Sequence, residues 1–264
     1  PRADAYRRES AEASVEAMTY KGKLYGLPYY VGYMSFFYHA DLLKKAGIAL
    51  PPTTWDEVIQ QATAIKKAGL SEHPLLIPLA AETWLIEDIY TLVYSRGGSL
   101  FDANGDPIFQ RAGSEALDSL KWLIDAMHTH KVISAGALET GEIAAFKAFT
   151  GGKHAFALLP NYRLRVINDP KQSTIAGQAK EALMPSAMRG KRETVAWTRM
   201  FGMTAATAKD RARADASWRL LEWFGGKDDA GAYKTAKEFM LVQGTLFGAK
   251  PLFEDSEVKA FIAG

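Results

Sequence analysis

Strand-like and helix-like segments alternate along the whole chain, with glycine or proline at most of the junctions, and this pattern restricts the fold more than any other feature. Tyr29 to His39 is rich in aromatics and suits a strand, and Asp41 is expected to cap the short helix that Gly47 ends. After Pro51-Pro52, Thr54-Trp55-Asp56-Glu57 has the form of a capping box, in which a hydroxyl and a carboxylate satisfy orphan helix N–H groups reciprocally. Trp55, Val58, Ala62 and Ile65 follow at helical spacing until Gly69. Leu75–Leu79 reads as a short buried strand, and helical pattern runs from Thr83 to Gly97-Gly98. A hairpin is expected around Asp102–Pro107, then an amphipathic helix bearing Leu117, Leu120, Ile124 and Met127. A helix over Ile143–Phe149, a strand over Lys153–Leu159, an extended Thr194–Ala206 and a long helix over Arg211–Phe224 continue the alternation. Ala3–Ala17 reads as one charged helix, and shorter helices are expected near Asp228–Lys237 and Asp255–Ile262. Strands and helices in this order predict an α/β architecture.

Charge and composition exclude several classes of function. The formal net charge is +2, with basic residues dispersed among acidic ones. Arg189, Lys191 and Arg192 form the densest basic cluster, too short to track a phosphate backbone, so no nucleic-acid partner is expected. No apolar run reaches the roughly 18 residues of a membrane helix. Pro1 to Met18 lacks the apolar core of a signal peptide, so such a segment is expected to have been removed or to lie upstream. With no cysteine there are no disulfides, thiolate metal sites or cysteine nucleophiles.

Catalytic signatures are missing as well. Gly151-Gly152-Lys153-His154 lacks the leading glycine and the hydroxyl of a phosphate-binding loop, and neither Gly-x-Gly-x-x-Gly nor Gly-x-Ser-x-Gly occurs. Asp102-x-Asn104-x-Asp106 begins like a calcium loop, but Pro107 replaces the glycine of the turn and Gly113 the bidentate glutamate. His128 and His130 are spaced so that they do not share a helix face. No metal site and no cofactor are expected. Glu82, Glu87 and Asp88 near Trp84 could supply the two carboxyl groups of a glycoside hydrolase, with Glu82 as one of the pair. The simpler reading puts Glu87 and Asp88 on an exposed face in the first turns of a helix, where negative charge is favourable.

The ordered segments resemble the extracellular solute-binding proteins of carbohydrate ABC importers, the family that includes the maltose-binding protein. Tyr20-Lys-Gly-Lys-Leu-Tyr-Gly-Leu-Pro28 followed by Phe37-Tyr-His-Ala-Asp-Leu-Leu-Lys-Lys-Ala-Gly47 looks like the family's first lobe-crossing strand and its following helix. Pro51–Glu57, Gly97-Gly98, the Asp102–Phe109 hairpin, Glu115-Ala116-Leu117 and Phe149–Phe156 continue in the family's order. The resemblance implies a periplasmic-binding-protein-like fold of two α/β lobes joined by crossing strands, with a ligand cleft between them and closure on ligand. It places residues 1–32 and 200–250 in a partial first lobe, 33–199 in the second, and 251–264 at the start of a third crossing and its helix. The chain looks truncated at both ends relative to the family. The implied protein is a periplasmic or extracellular receptor, membrane-tethered if a missing N-terminus carries an anchor. A monomer that delivers its solute to the permease subunits of an ABC importer is expected.

Carbohydrates present hydroxyl edges and apolar C–H faces, so a site for them combines aromatic platforms with orienting polar groups. By resemblance, Glu82-Thr-Trp84 aligns with a cleft segment supplying a carboxylate and an aromatic, with Trp84 stacking and Glu82 accepting from hydroxyls. Asn161 and Tyr162 follow a strand end, while Trp197 and Arg199 lie in the second crossing strand. Of Tyr29, Tyr30 and Tyr33, two-residue alternation allows one or two on a cleft wall, with Tyr30 and Tyr33 the candidates. Arg163, Arg165 and Arg199 leave open an anionic solute such as a sugar acid or polyol phosphate.

Overall fold

The structure is a computed structural model that describes residues 2–187 and 192–263, so Arg189 and Lys191 of the basic cluster lie outside the described residues. Two compact units divide the chain: Pro1–Gly32 with Ala196–Gly264, and Tyr33–Val195. In chain order the elements begin with helices α1 (Arg2–Glu9) and α2 (Glu12–Ala17) and strands β1 (Thr19–Tyr20), β2 (Lys23–Leu24) and β3 (Leu27–His39). Next come α3 (Ala40–Lys45), α4 (Trp55–Lys67), β4 (Leu75–Leu76), α5 (Thr83–Tyr94), α6 (Glu115–Ile124) and α7 (Glu142–Thr150). The order closes with β5 (Phe156–Pro160), α8 (Arg163–Ile167), β6 (Ala179–Ala182), β7 (Ala196–Phe201), α9 (Arg211–Gly225), α10 (Lys234–Gln243) and α11 (Ser256–Ala263).

In the second unit the sheet order is β4-β5-β3-β6. β3 runs antiparallel to β5, with Met34 opposite Pro160 and Tyr38 opposite Phe156, and antiparallel to β6, with Phe36 opposite Ala182. β4 joins β5 in parallel. With partners on both edges and helices on both faces, β3 needs apolar side chains pointing both ways, and its aromatic run supplies them. Phe36 stacks on Phe156 at 5.6 Å and meets Trp55 edge-on at 6.1 Å. Phe37, on the other face, packs with Leu76, Phe149, Ala157, Leu159 and Ile167.

Trp55, at the start of α4, is buried and donates from Nε1 to Ser95 Oγ at 2.9 Å. The Arg96 guanidinium lies 5.2 Å from the centre of Trp55 and 5.1 Å from that of Trp122. Burial pulls its pKa down to about 10, so it remains a cation at neutral pH, held between two aromatic faces.

Several local expectations are corrected. The cap of α3 is His39, whose Nδ1 accepts from Leu42 N at 3.0 Å, because β3 runs straight into the helix and leaves Asp41 already inside its first turn. Asp41 instead pairs with Lys45 at 2.8 Å. In α4, Thr54 Oγ1 does accept from Glu57 N, but Glu57 returns its carboxylate to Thr53, at 2.6 Å from the amide and 2.7 Å from the hydroxyl. In α6 the inward stripe is Ala116, Ser119 and Leu123, continued by Met127, whereas Leu120 and Ile124 are exposed.

The first unit has its own core of Tyr6, Leu27, Leu221, Tyr233, Met240, Phe247, Leu252 and Val258. β1 and β2 form a hairpin through Lys21 and Gly22, both at positive φ, as a mirror-image turn requires. The expected single N-terminal helix is broken at Ser10, which bridges to Ala249. The helix expected from Asp228 starts at Lys234, because the Asp228 carboxylate accepts from the amides of Ala230 and Ala232 and closes a turn instead. Glu9 joins Lys227 Nζ at 2.7 Å and the Tyr233 hydroxyl at 2.6 Å, and β7 pairs with β3.

Replacing Thr54 by Ala should cost about 1 kcal/mol, since the Glu57 amide loses its acceptor. Urea unfolding of the variant should show a lower midpoint at an unchanged slope.

Candidate functional site

The polar centre of the second unit is built where α5 and α7 begin. Glu82 precedes α5 and makes no cap to its own helix. Its Oε1 instead accepts from Glu142 N, the first residue of α7, at 2.6 Å. A carboxylate there meets the positive end of the helix dipole. Gly141 makes the approach possible, because a Cβ at that position would stand 2.7 Å from Glu82 Oε2.

Glu142 is buried and receives the Arg163 guanidinium at both oxygens, 2.7 Å from Nε and 2.7 Å from the second nitrogen. Burial alone would lower the arginine pKa, but the ion pair outweighs it and holds the guanidinium above its ordinary value. Arg163 also lies 4.6 Å from the ring centre of Phe146 and 5.2 Å from that of Tyr162. A continuous chain of contacts therefore runs from Glu82 through Glu142 and Arg163 to Tyr162.

Asn161 is buried at the end of β5. Its amide donates to Tyr33 O at 3.0 Å, and its Oδ1 accepts from Tyr33 N at 3.1 Å, so the side chain extends the β3–β5 ladder. Burial, reinforced by the carboxylate of Glu181, pushes the Tyr33 hydroxyl up to about 12. Trp84 is half-buried one turn before Asp88 on α5.

Asp88 overturns the expectation of an exposed acidic face. It is fully buried, and neither carboxylate oxygen has a hydrogen-bond donor among the described residues. On α5, position 88 shares the inward face with Thr91, Leu92 and Ser95, all buried, so the helix register seals it. Burial raises its pKa well above the usual carboxylate range, and the charges of Glu87, Glu142 and Glu82 raise it further.

Tyr30, Trp197 and Arg199 belong to the first unit. Tyr30 meets Tyr29 edge-on at 5.0 Å, and Tyr29 stacks on Phe201 at 4.8 Å. Trp197 packs on Gly32, where a Cβ would stand 2.6 Å from the indole. Among the described residues, no group of three or more His, Asp and Glu side chains is arranged to hold a metal ion. Asp102 of the calcium-like segment accepts from the amides of Asn104 and Asp106, closing the turn.

A family model for bacterial extracellular solute-binding proteins matches residues 4–253. The chain belongs to this solute-binding protein family. Other members and neighbours agree with that placement. A mannitol-binding protein of Pseudomonas aeruginosa is 24% identical over 215 residues, covering 80% of this chain and 48% of the relative. Among solved structures, maltose-bound MalE3 of T. maritima superposes with a TM-score of 0.84 at 22% identity, covering 98% of this chain and 64% of the other. A solute-binding protein of Agrobacterium vitis with bound D-mannitol gives a TM-score of 0.75 at 24% identity, covering 96% and 59%. The likenesses to these structures show the periplasmic-binding-protein-like α/β fold. The chain spans about half the length of the curated relatives it matches.

Within this solute-binding protein, sequence reasoning misses Glu142 altogether and leaves Arg163 open to anion recognition. The available signal is Gly141-Glu142 at a helix start, which marks an anion-ready N-terminus but does not say which carboxylate arrives.

The state of Asp88 gives a pH prediction. Its folded pKa is raised, so above the ordinary aspartate range the folded chain holds a proton that the unfolded chain has lost, and stability falls as pH rises toward the raised value. The slope can reach about 1.4 kcal/mol per pH unit. Asp88→Asn should flatten it, so denaturant midpoints measured at pH 5 and pH 8 should lie closer together in the variant than in the parent.

Proposed function

We propose that this protein is an extracytoplasmic receptor that captures a sugar or polyol and passes it to the permease subunits of an ABC importer. Membership of the solute-binding family supports this, as do the relative named for mannitol and the neighbours with bound maltose and D-mannitol. In the second unit the ligand wall is formed by Trp84 and Tyr162 as platforms, with Glu82 and Asn161 as hydroxyl partners. Tyr33 supports Asn161 from the neighbouring strand. In the first unit Trp197, Tyr30 and Arg199 are the candidates.

The observation that carries this reading is the chain of contacts from Glu82 to Tyr162. Its members are held by a helix N-terminus, a two-point ion pair and a cation–ring contact, so a polar acceptor and an aromatic face are fixed before any solute arrives. The same arrangement argues against glycoside hydrolysis. That reaction needs two carboxyl groups free to flank a bond. Here Glu82 is engaged by the α7 amide, Glu142 is clamped by arginine, and Asp88 is sealed from solvent. It also disfavours anion capture at this wall, because both sides of the Arg163 fork already face Glu142.

Calorimetric titration of the chain with mannitol, ribitol and maltose should give saturable binding of at least one, with no turnover of chromogenic glycosides. Trp84→Ala and Tyr162→Ala should each weaken that binding by roughly tenfold, the loss of one stacked ring. Absence of binding to every sugar and polyol tried would overturn the proposal.

A further inference from the structure

The end of β3, the edge of β6 and the turn after α3 enclose a cavity in the Tyr33–Val195 unit that shares no residue with the wall around Glu82. Its volume is about 440 Å³, the size that holds a small organic molecule. Local bonds fix its outer wall. Gly47, at positive φ, reverses the chain after α3, and Ile48 N donates to Leu43 O at 2.9 Å. Further on, Leu50 O accepts from Gln61 Nε2 at 3.1 Å, which ties the lip to α4. Leu43, Ile48 and Pro51 supply an apolar lining, and Leu50 stands 75% exposed beside them.

The charged part of the lining is entirely basic. Tyr38 and Lys180 are directly opposed across β3 and β6, so their side chains leave the same face of the sheet, and Lys44 comes from the last turn of α3. Neither lysine side chain makes a hydrogen bond or ion pair among the described residues, and no carboxylate belongs to the lining. The nearby acids are turned away or engaged. Glu181, next to Lys180, leaves the opposite face and accepts from Ser35 Oγ at 2.6 Å, while Asp41 pairs with Lys45 at 2.8 Å. Two cations without a counter-charge, beside an apolar lining, match an anion whose remaining surface is hydrophobic.

We propose that this cavity binds a small amphiphilic anion, a carboxylate or phosphate monoester on a short alkyl or aromatic body. Lys44 and Lys180 receive the head group, with the Tyr38 hydroxyl as a further donor, and the body lies against Leu43, Ile48 and Pro51. The inference stands apart from the receptor reading above, because the two sites have no residue in common.

The test is titration of the chain with phenylpropionate and phenyl phosphate, followed by amide chemical shifts at low salt. Acetate and inorganic phosphate serve as head groups without a body, and benzyl alcohol as a body without a charge. Both probes should saturate with a Kd of about 1 mM or below, and each control should bind about tenfold more weakly. The shifts should centre on Tyr38, Lys44, Ile48 and Lys180. Lys44→Gln and Lys180→Gln should each weaken both probes by about threefold, and the double variant by about tenfold. Neither side chain bonds to the rest of the fold, so the variants should keep the parent's unfolding midpoint. Four outcomes would each overturn the inference: no saturable binding of either probe, shifts confined to another part of the chain, unchanged affinity in the double variant, or inorganic phosphate binding as tightly as phenyl phosphate.

Discussion

The second unit depends on β3 being an interior strand. With β5 on one edge and β6 on the other, its backbone donors and acceptors are consumed in pairing, and both of its faces must be dry. Phe36 and Phe37 point to opposite sides and seed two separate apolar layers, one against Trp55 and Phe156, the other against Phe149 and Leu159. The strand ends that leave this sheet are then positioned without freedom of their own. Asn161 leaves β5 locked to Tyr33, and the next residues, Tyr162 and Arg163, begin α8 where Glu142 can be reached.

How much of this could be read in advance follows from the range of each interaction. The cap of α4 and its inward stripe of Trp55, Val58, Ala62 and Ile65 are local, since the residues that define them are neighbours on one helix, and their pattern survives in the sequence. β3 is legible for the same reason. Where two faces of a helix are both apolar, the pattern fails: Leu120 and Ile124 read as core as readily as Leu123 does, and only the packing partners decide. Asp88 shows the reverse error. Acidic residues near a helix start are usually solvated, and nothing local to α5 announces that this position is covered.

The candidate site is less legible still, because its bonds join residues far apart in sequence. Glu82 meets Glu142 across 60 positions, and Asn161 meets Tyr33 across 128. The sequence names the residue types a carbohydrate wall requires, but it cannot distinguish an arginine offered to a ligand from one already engaged. Arg163 has the chemistry for anion recognition and a glutamate in the way.

Glu82 has a double obligation. The oxygen that closes the first turn of α7 sits on the same carboxylate that the proposed solute would address. A ligand that rotated this group toward itself would open an amide at the helix start, and the helix would resist. Recognition here is therefore limited to partners that accept the carboxylate in the pose the fold has chosen, and occupancy of the site should stiffen α7 rather than rearrange it.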